Sequence, residues 1–551
     1  MSVRLRVLPV FEIALLLLLA VMATRPNSVV HANQADALPV SSEPGAATAQ
    51  GNGLPTPSIP PAHFALPVAY TSGGFYAVSV AIGDLVGNGT LDLVEVDSCQ
   101  KGDGSCGNSD VSVFLGNKNG TFQAAASYLS GGIAASSVAV GDVNGDGHPD
   151  LVIANGCLSG SNCNNGVVSV LLGNGDGTFQ SAVNYNAGYV PVAIATGDLN
   201  GDGHLDLILA NQYQCNNCKT GGVSVLLGNG DGTFQAPVSY SSGGVVATGL
   251  AVGDLNGDGH LDVVVTNQYQ CQNCGNGQAS VLLGKGDGTL RNPVSYSSGG
   301  YAALSIAIGD VNGDSKPDLV VTNLCAKVSS CTDGIVAVLL GKGDGTFRSD
   351  GTYSSGAYGA TSVAIADVNG DGEPDLIVDN TCKATTNCGI GGVSVLLGNG
   401  DGTFQNAVAH SSGGEDANSV AVADLNGDGR PDIITANNCA SKTNCSGSVA
   451  VLLNTTSDKT TTRITSSLNP SAINQPVTFT ATVTSALSVP DGQVITFYRG
   501  ISNLGTGVTT NGEATLTTSF SKAGTYTIKA SYPGDTYHKA SSGTVKQVVN
   551  P

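Results

Sequence analysis

Residues 142–150 read Asp-Val-Asn-Gly-Asp-Gly-His-Pro-Asp, and the string D-x-N-x-D-G-x-x-D returns along the chain. It begins at Asp142, Asp198, Asp254, Asp367 and Asp424, at Asp310 with Ser315 in place of the turn glycine, and as a damaged copy at Asp84. The steps between successive starts are 58, 56, 56, 56, 57 and 57 residues. Seven copies at a near-constant step mean seven copies of one supersecondary unit.

Each unit carries four short apolar runs. In the third copy they are VAIATG (192–197), LDLILA (205–210), VSVLLG (223–228) and FQAPVSY (234–240). They are β-branched and bounded by Gly, Asn and Asp, which is how strands read. Seven four-stranded units predict an all-β chain, a seven-bladed β-propeller. A linear solenoid or a string of separate modules would be the alternative. The phase of the repeat decides between them. The seventh copy stops after its third run, VAVLL (449–453), whereas an orphan run, HFALPVAYTSGG (63–74), precedes the first. That run matches TFQAPVSYSSGG (233–244) at seven of twelve positions. The N-terminal strand is therefore expected to supply the missing fourth strand of the seventh blade and close the ring, where a solenoid would need caps.

The acidic string places oxygen-bearing side chains at positions 1, 3, 5 and 9 of a tight loop. Position 7 varies freely, as suits a ligand that is a main-chain carbonyl, and position 6 is Gly in every full copy but one. Hard oxygens converging from one short loop suit Ca2+. The expected ligands are Asp142, Asn144, Asp146, His148 and Asp150 in the second copy, and Asp198, Asn200, Asp202, His204 and Asp206 in the third. They continue as Asp254, Asn256, Asp258, His260 and Asp262, then Asp310, Asn312, Asp314, Lys316 and Asp318. The last two sets are Asp367, Asn369, Asp371, Glu373 and Asp375, and Asp424, Asn426, Asp428, Arg430 and Asp432. The first copy has Val86 at a ligand position and keeps only Asp84, Asn88 and Asp92, so six sites and a degenerate seventh are expected. The loop is no EF-hand, because position 12 is an apolar strand residue rather than Glu. The N-G-D-G-T strings that follow the third run read as plain glycine-rich turns, with a reach to the ions as the alternative.

The 14 cysteines come as seven pairs: Cys99 and Cys106, Cys157 and Cys163, Cys215 and Cys218, Cys271 and Cys274, Cys325 and Cys331, Cys382 and Cys388, Cys439 and Cys445. Each pair lies between the second and third runs of its unit, which predicts seven local disulfides. Zinc or redox chemistry is the rival for the two C-x-x-C pairs. The other five spacings, and the lack of a companion His, favour disulfides. Second-to-third connections fall at the end of the blade opposite the acidic loops. That stapled face also carries Tyr213 and Tyr269, each within N-Q-Y-Q-C.

The flanks are different. Arg4 and Arg6, the apolar stretch 13–23 and Val30-His31-Ala32 read as a secretory signal over 1–32, with an uncleaved anchor as the alternative. Residues 33–62 read as a Pro/Ser/Ala-rich linker, 63–456 as the propeller, and 460–551, with no Cys and no acidic string, as an Ig-like β-sandwich. Export makes disulfides permissible. No other run is long enough to span a membrane, so no span is expected in the mature chain. The 551 residues include 76 Gly, 42 acidic and 22 basic residues, for a formal charge of −20. Scarce, unclustered Lys and Arg exclude a nucleic-acid binder. No Ser/His/Asp set and no isolated carboxylate pair stands outside the repeats, so no catalytic residue is assigned.

The acidic string together with L-G-N-G-D-G-T-F at this period resembles the FG-GAP/VCBS repeat family, whose fold integrin α-subunit propellers share. The resemblance covers about residues 63–456. It implies calcium at the hairpin loops of one face and a partner on the other, here the stapled one. The tail, through TSSLNPS (465–471), VTFTATV (477–483) and AGTYTIKASYPGD (523–535), resembles bacterial Ig-like domains. The expectation is a secreted or cell-surface, calcium-loaded, adhesin-like interaction module for a protein or glycan. An extracellular polysaccharide-degrading enzyme using the propeller's central depression is the alternative.

Overall fold

The computed structural model describes residues 61–100, 107–158, 165–215, 218–270, 275–327, 331–383, 390–441, 444–457, 459–485, 489–535 and 538–551. Among them there are strands, turns and bends and no helix. The signal reading, most of the linker, and Cys106, Cys163, Cys271, Cys274 and Cys388 lie outside these residues.

Residue contacts divide the chain into two units, one holding most of the repeats and one made of Asn454–Pro551 with the short segments Thr56–Ala65 and Asp367–Gly372. In the second repeat, Ile133–Gly141, Asp150–Cys157 and Gly166–Leu171 pair antiparallel in order, and the start of Val183–Gly197 adds the fourth strand. Val183–Gly197 then continues without a break as the first strand of the third repeat, so two repeats share one seven-stranded sheet. The fourth strand of the third repeat begins at Val238, later than its sequence suggests. Phe234 makes only an isolated bridge to Gly228, and Pro237 between them has no N–H for a ladder.

Middle strands are buried along most of their length, and Asp150–Cys157 along all of it, because each sheet is covered on both faces. The core therefore lies between repeats. One cluster joins Ala210, Val223 and Val225 of the third to Ala247, Val263 and Val265 of the fourth.

The joint between the seventh and first repeats is built like the others. Val68–Thr71, at the start of Val68–Gly83, pairs with Ser448–Val451 of the seventh repeat, so the N-terminal strand occupies the place the sequence assigned it. Ser79 Oγ accepts the Val138 N–H at 3.4 Å and Ser137 Oγ accepts that of Ile194 at 3.4 Å; Ser419 Oγ accepts that of Val80 at 3.0 Å. An outer-strand tyrosine meets the next repeat's turn phenylalanine edge to face, with centroids 5.6 Å apart for Tyr128–Phe179 and 5.5 Å for Tyr353–Phe404. Across the seventh-to-first joint, Tyr70–Phe122 repeats this at 5.6 Å.

Every first strand contains a bulge whose leading residue is left-handed: Tyr76, Ala134, Val190, Val246, Ala302, Gly359 and Asp416. The register breaks just beyond each. A bulge leaves ladder groups unpaired. Side chains of the preceding repeat reach the carbonyls beside it: Ser136 Oγ donates to Pro191 O at 2.9 Å, Thr248 Oγ1 to Ala303 O at 2.9 Å, and Asn418 Nδ2 to Ala77 O at 3.0 Å.

A second repeated bond ties the turn ahead of a first strand to the second strand. Ser130 Oγ donates to Asn155 Oδ1 at 2.8 Å, Ser355 to Asn380 at 2.6 Å and Ser412 to Asn437 at 2.5 Å, all buried. In the third repeat the serine is Ala187, fully buried, and Asn211 Oδ1 is left without a partner. Ala187→Ser is expected to raise stability by about 1 kcal/mol, the net worth of one buried hydrogen bond. Denaturant unfolding would measure it, and no gain would mean the hydroxyl cannot reach Asn211.

The C-terminal unit has two sheets. Thr461–Ser466, Val477–Thr484 and Glu513–Thr518 form one; Ser471–Ala472, Ser541–Asn550, Gly524–Tyr532, Val494–Arg499 and Ser502–Val508 form the other. Val477–Thr484 alternates buried with half-buried residues up to its exposed end, and Phe479, Phe497, Ile528 and Tyr532 fill the space between the sheets.

Candidate metal centre

Each acidic string is the hairpin loop between the first and second strands of its repeat, and its ninth residue is the first residue of the second strand. The loop folds this way because its carboxylates collect their own amides. Asp142 Oδ1 accepts the Gly145 N–H at 2.7 Å and Oδ2 that of Gly147 at 2.8 Å. Asn144 Oδ1 accepts the Asp146 N–H at 2.8 Å, and Asp146 Oδ1 that of His148 at 2.8 Å. The same pattern holds for Asp198, Asn200 and Asp202, and the first position keeps it at Asp254, Asp367 and Asp424. The sixth position is left-handed, as at Gly147; Ser315 adopts φ 62° there without being glycine.

The ninth residue does a different job. Asp150 is buried; its Oδ2 accepts the Val143 N–H at 2.9 Å and its Oδ1 the Gly173 N–H at 2.7 Å. Asp206, Asp262 and Asp318 make the same two bonds, and Asp92 does so in the damaged copy. The ninth carboxylate thus fastens the loop to the glycine turn after the third strand. Sequence reasoning missed this, since a ligand and a fastener look alike there.

Those glycine turns are self-contained: Asp176 Oδ1 accepts the Thr178 N–H at 2.9 Å, and Asn174 Nδ2 donates to Thr178 Oγ1 at 2.9 Å. They also brace the loops. Gly232 N donates to Val143 O of the preceding repeat at 3.1 Å, Gly288 N to Leu199 O at 3.2 Å, and Gly120 N of the first repeat to Leu425 O of the seventh at 3.2 Å. The seventh-position side chains do not hang free: His148, His204 and His260 lie over Gly175, Gly230 and Gly286, where a Cβ would collide with each ring.

Burial and amide donors push these carboxyls in opposite directions. The fully exposed Asp146, Asp202 and Asp258 are lowered, chiefly by the N–H of the residue two places on. Asp150, Asp206 and Asp262 are raised by burial, and Asp318 is pushed up to about 6 by the same cause. Among the described residues no three His, Cys, Asp or Glu side chains gather closely enough to be a metal site by themselves. A site here draws on the asparagine and main-chain oxygens as well. The donors are all hard oxygen, which fits Ca2+ and not a soft metal.

At the other end of the second strands, Cys215–Cys218, Cys325–Cys331 and Cys439–Cys445 are disulfides. Cys99, Cys157 and Cys382 are also disulfide-bonded, and among the described residues no cysteine is free. Near these loops Tyr269 and Tyr301 meet with hydroxyls 3.2 Å apart.

The FG-GAP-like repeat pattern matches residues 104–153, 157–209, 213–265, 271–321, 326–378 and 384–435, more than half of the chain. The chain belongs to the FG-GAP-like repeat family. Residues 464–550 match the bacterial Ig-like domain (group 3). No curated protein sequence matches. Among solved structures, two described as the extracellular domain of a one-component and of a hybrid two-component system of B. thetaiotaomicron are 10% identical, with TM-scores of 0.36 and 0.37. Each alignment covers 89% of this chain, which spans 58% and 59% of theirs. A structure described as RS223-Beta-xylosidase is 10% identical over 47% of this FG-GAP chain and 90% of its own, with a TM-score of 0.26.

Proposed function

We propose that this FG-GAP chain is an extracellular interaction module: a seven-bladed ring loaded with calcium on one face, docking a protein or glycan with the other. The observation that carries this is the polarity of the second strands. Each starts at a fastened acidic loop and runs toward a cysteine-bearing loop, so ion chemistry and the stapled surface are kept at opposite ends. The likeness of the seventh-to-first joint to the others supports the ring. Calcium would be held by Asp142, Asn144, Asp146, the His148 carbonyl and Asp150, and by the matching residues of the other full copies. Bound there, it would offset the repulsion of three close carboxylates and fix the loops. A signal at 1–32 would deliver the chain to an oxidising compartment.

The test is an array of glycans and surface proteins probed with the intact chain, in calcium and in chelator, beside Tyr269→Ala/Tyr301→Ala. The expected result is calcium-dependent binding that the double variant loses by tenfold or more while its melting temperature stays within a few degrees. Turnover of any polysaccharide at catalytic enzyme levels would overturn the reading in favour of a hydrolase or lyase.

A further inference from the structure

The first repeat departs from the other six inside its sheet. Its second strand, Asp92–Cys99, carries Glu95 and Asp97 on one face, and the third strand, Asp110–Phe114, places Asp110 opposite Asp97. All three are buried, at 0%, 0% and 4% exposure. At the position of Glu95 five other repeats have Ile153, Leu209, Val265, Val321 and Val378; at that of Asp97 all six have Asn. Neither Glu95 oxygen has a partner of normal hydrogen-bond geometry, and its neighbour is the Asp97 carboxyl.

Asp97 also holds the joint. Its Oδ1 accepts the Ser72 hydroxyl at 2.9 Å and its Oδ2 the Gly74 N–H at 2.9 Å. Ser72 and Gly74 lie where Val68–Gly83 crosses from the seventh repeat's ladder to the first's. Gly447 of the seventh repeat sits so close that a Cβ there would strike both Asp97 Oδ1 and Ser72 Oγ. The strands packed on this site, Val68–Gly83, Ala126–Leu129, Ile133–Gly141 and Ser446–Leu452, bring no Lys, Arg, His, Asp or Glu; their only titratable groups are the phenols Tyr70, Tyr76 and Tyr128.

We propose that the joint between the last and first repeats is a proton latch, in which the buried cluster of Glu95, Asp97 and Asp110 holds the crossing residues 72–74 firmly in mild acid and releases them as pH rises.

The sign follows from burial. Asp97 is pushed up to about 7 by burial, which outweighs the lowering by Ser72, Glu95 and Gly74, and Glu95 is pushed well above its ordinary value by burial and then by the Asp97 charge. Both folded-state values exceed the unfolded ones, so the native joint keeps protons that the opened chain gives up. Stability is fullest below about pH 4. For Asp97 it is lost from there to about pH 7, and the Glu95 loss carries on beyond. Each proton so retained changes the opening equilibrium by up to about tenfold per pH unit.

The test is hydrogen exchange on the intact chain in saturating calcium at pH 5, 6, 7 and 8, corrected for intrinsic rates. Protection of Val68–Thr71 is compared with that of Val238–Ser241, the equivalent strand of the third repeat. The ratio is expected to fall in the wild type by up to about tenfold per pH unit for each retained proton, and to stay level in Glu95→Gln/Asp97→Asn. Glu95→Leu/Asp97→Asn, which installs the third repeat's residues at both positions, should give the same level ratio if the first variant folds poorly. A level ratio in the wild type, or an unchanged slope in the variants, overturns the latch.

Discussion

Chelation is expected to lower the melting temperature of the intact chain by on the order of 20 °C, and calcium, but not magnesium alone, to restore it. A site that binds only the folded state contributes about 4 kcal/mol when free ion is 1,000-fold above Kd. With an unfolding entropy of about 2.1 cal/mol/K per residue, one such site moves a domain of this size by about 5 °C. Six full loops act on the same cooperative structure, because five are bonded to their own turn and several to a neighbour's. Magnesium demands a stricter octahedron and parts with its waters reluctantly, so a loop of flexible hard oxygens should discriminate against it. Scanning calorimetry with chelator, then with each ion, measures this. An unmoved melting temperature would sink the calcium assignment and leave the strings as hydrogen-bonded turns.

Tyr70→Ala is expected to destabilise the chain by about 3 kcal/mol, as removal of a packed aromatic ring does. Tyr353→Ala should cost as much. Tyr70 contacts Phe122 in the geometry Tyr353 uses on Phe404, with interplanar angles of 85° and 82°. The Tyr70 hydroxyl also accepts the Phe122 N–H at 3.3 Å. Tyr353 lies inside the chain of repeats, whereas Tyr70 spans the joint between its ends. Equal losses in denaturant unfolding mean the ring is closed in solution. A negligible loss for Tyr70 alone would mean the joint stands open.

The period of the acidic string and the orphan run at 63–74 made the repeats and the strand exchange legible, because both rest on local patterns copied many times. Conformation without a residue signature was not legible. The bulge in each first strand recurs at Tyr, Ala, Val, Val, Ala, Gly and Asp; only Gly359 advertises a left-handed residue, and β-branched Val190 and Val246 argue against one. Surrounding sheets impose that shape. The fastening role of the ninth aspartate was hidden for a related reason, since one residue type suits a cation and an amide donor alike. Glu95 and Asp97 were in plain view, yet they escape a search for acids outside the repeats. Aligning each copy on its neighbours would have exposed them.

The exchange of Val68–Thr71 into the last repeat has a consequence for synthesis. Its partner Ser446–Leu452 is made roughly 380 residues later, and closing a loop of that length carries a length-dependent entropy of about 5 kcal/mol if the intervening chain is unstructured. A nascent chain emerging N-terminus first would hold an apolar strand edge without a mate until nearly all repeats exist. Folding repeat by repeat shortens the effective loop, because each completed sheet brings the two ends nearer. The chain should therefore be most prone to aggregation when translation stalls late, with six repeats formed and the first strand still waiting.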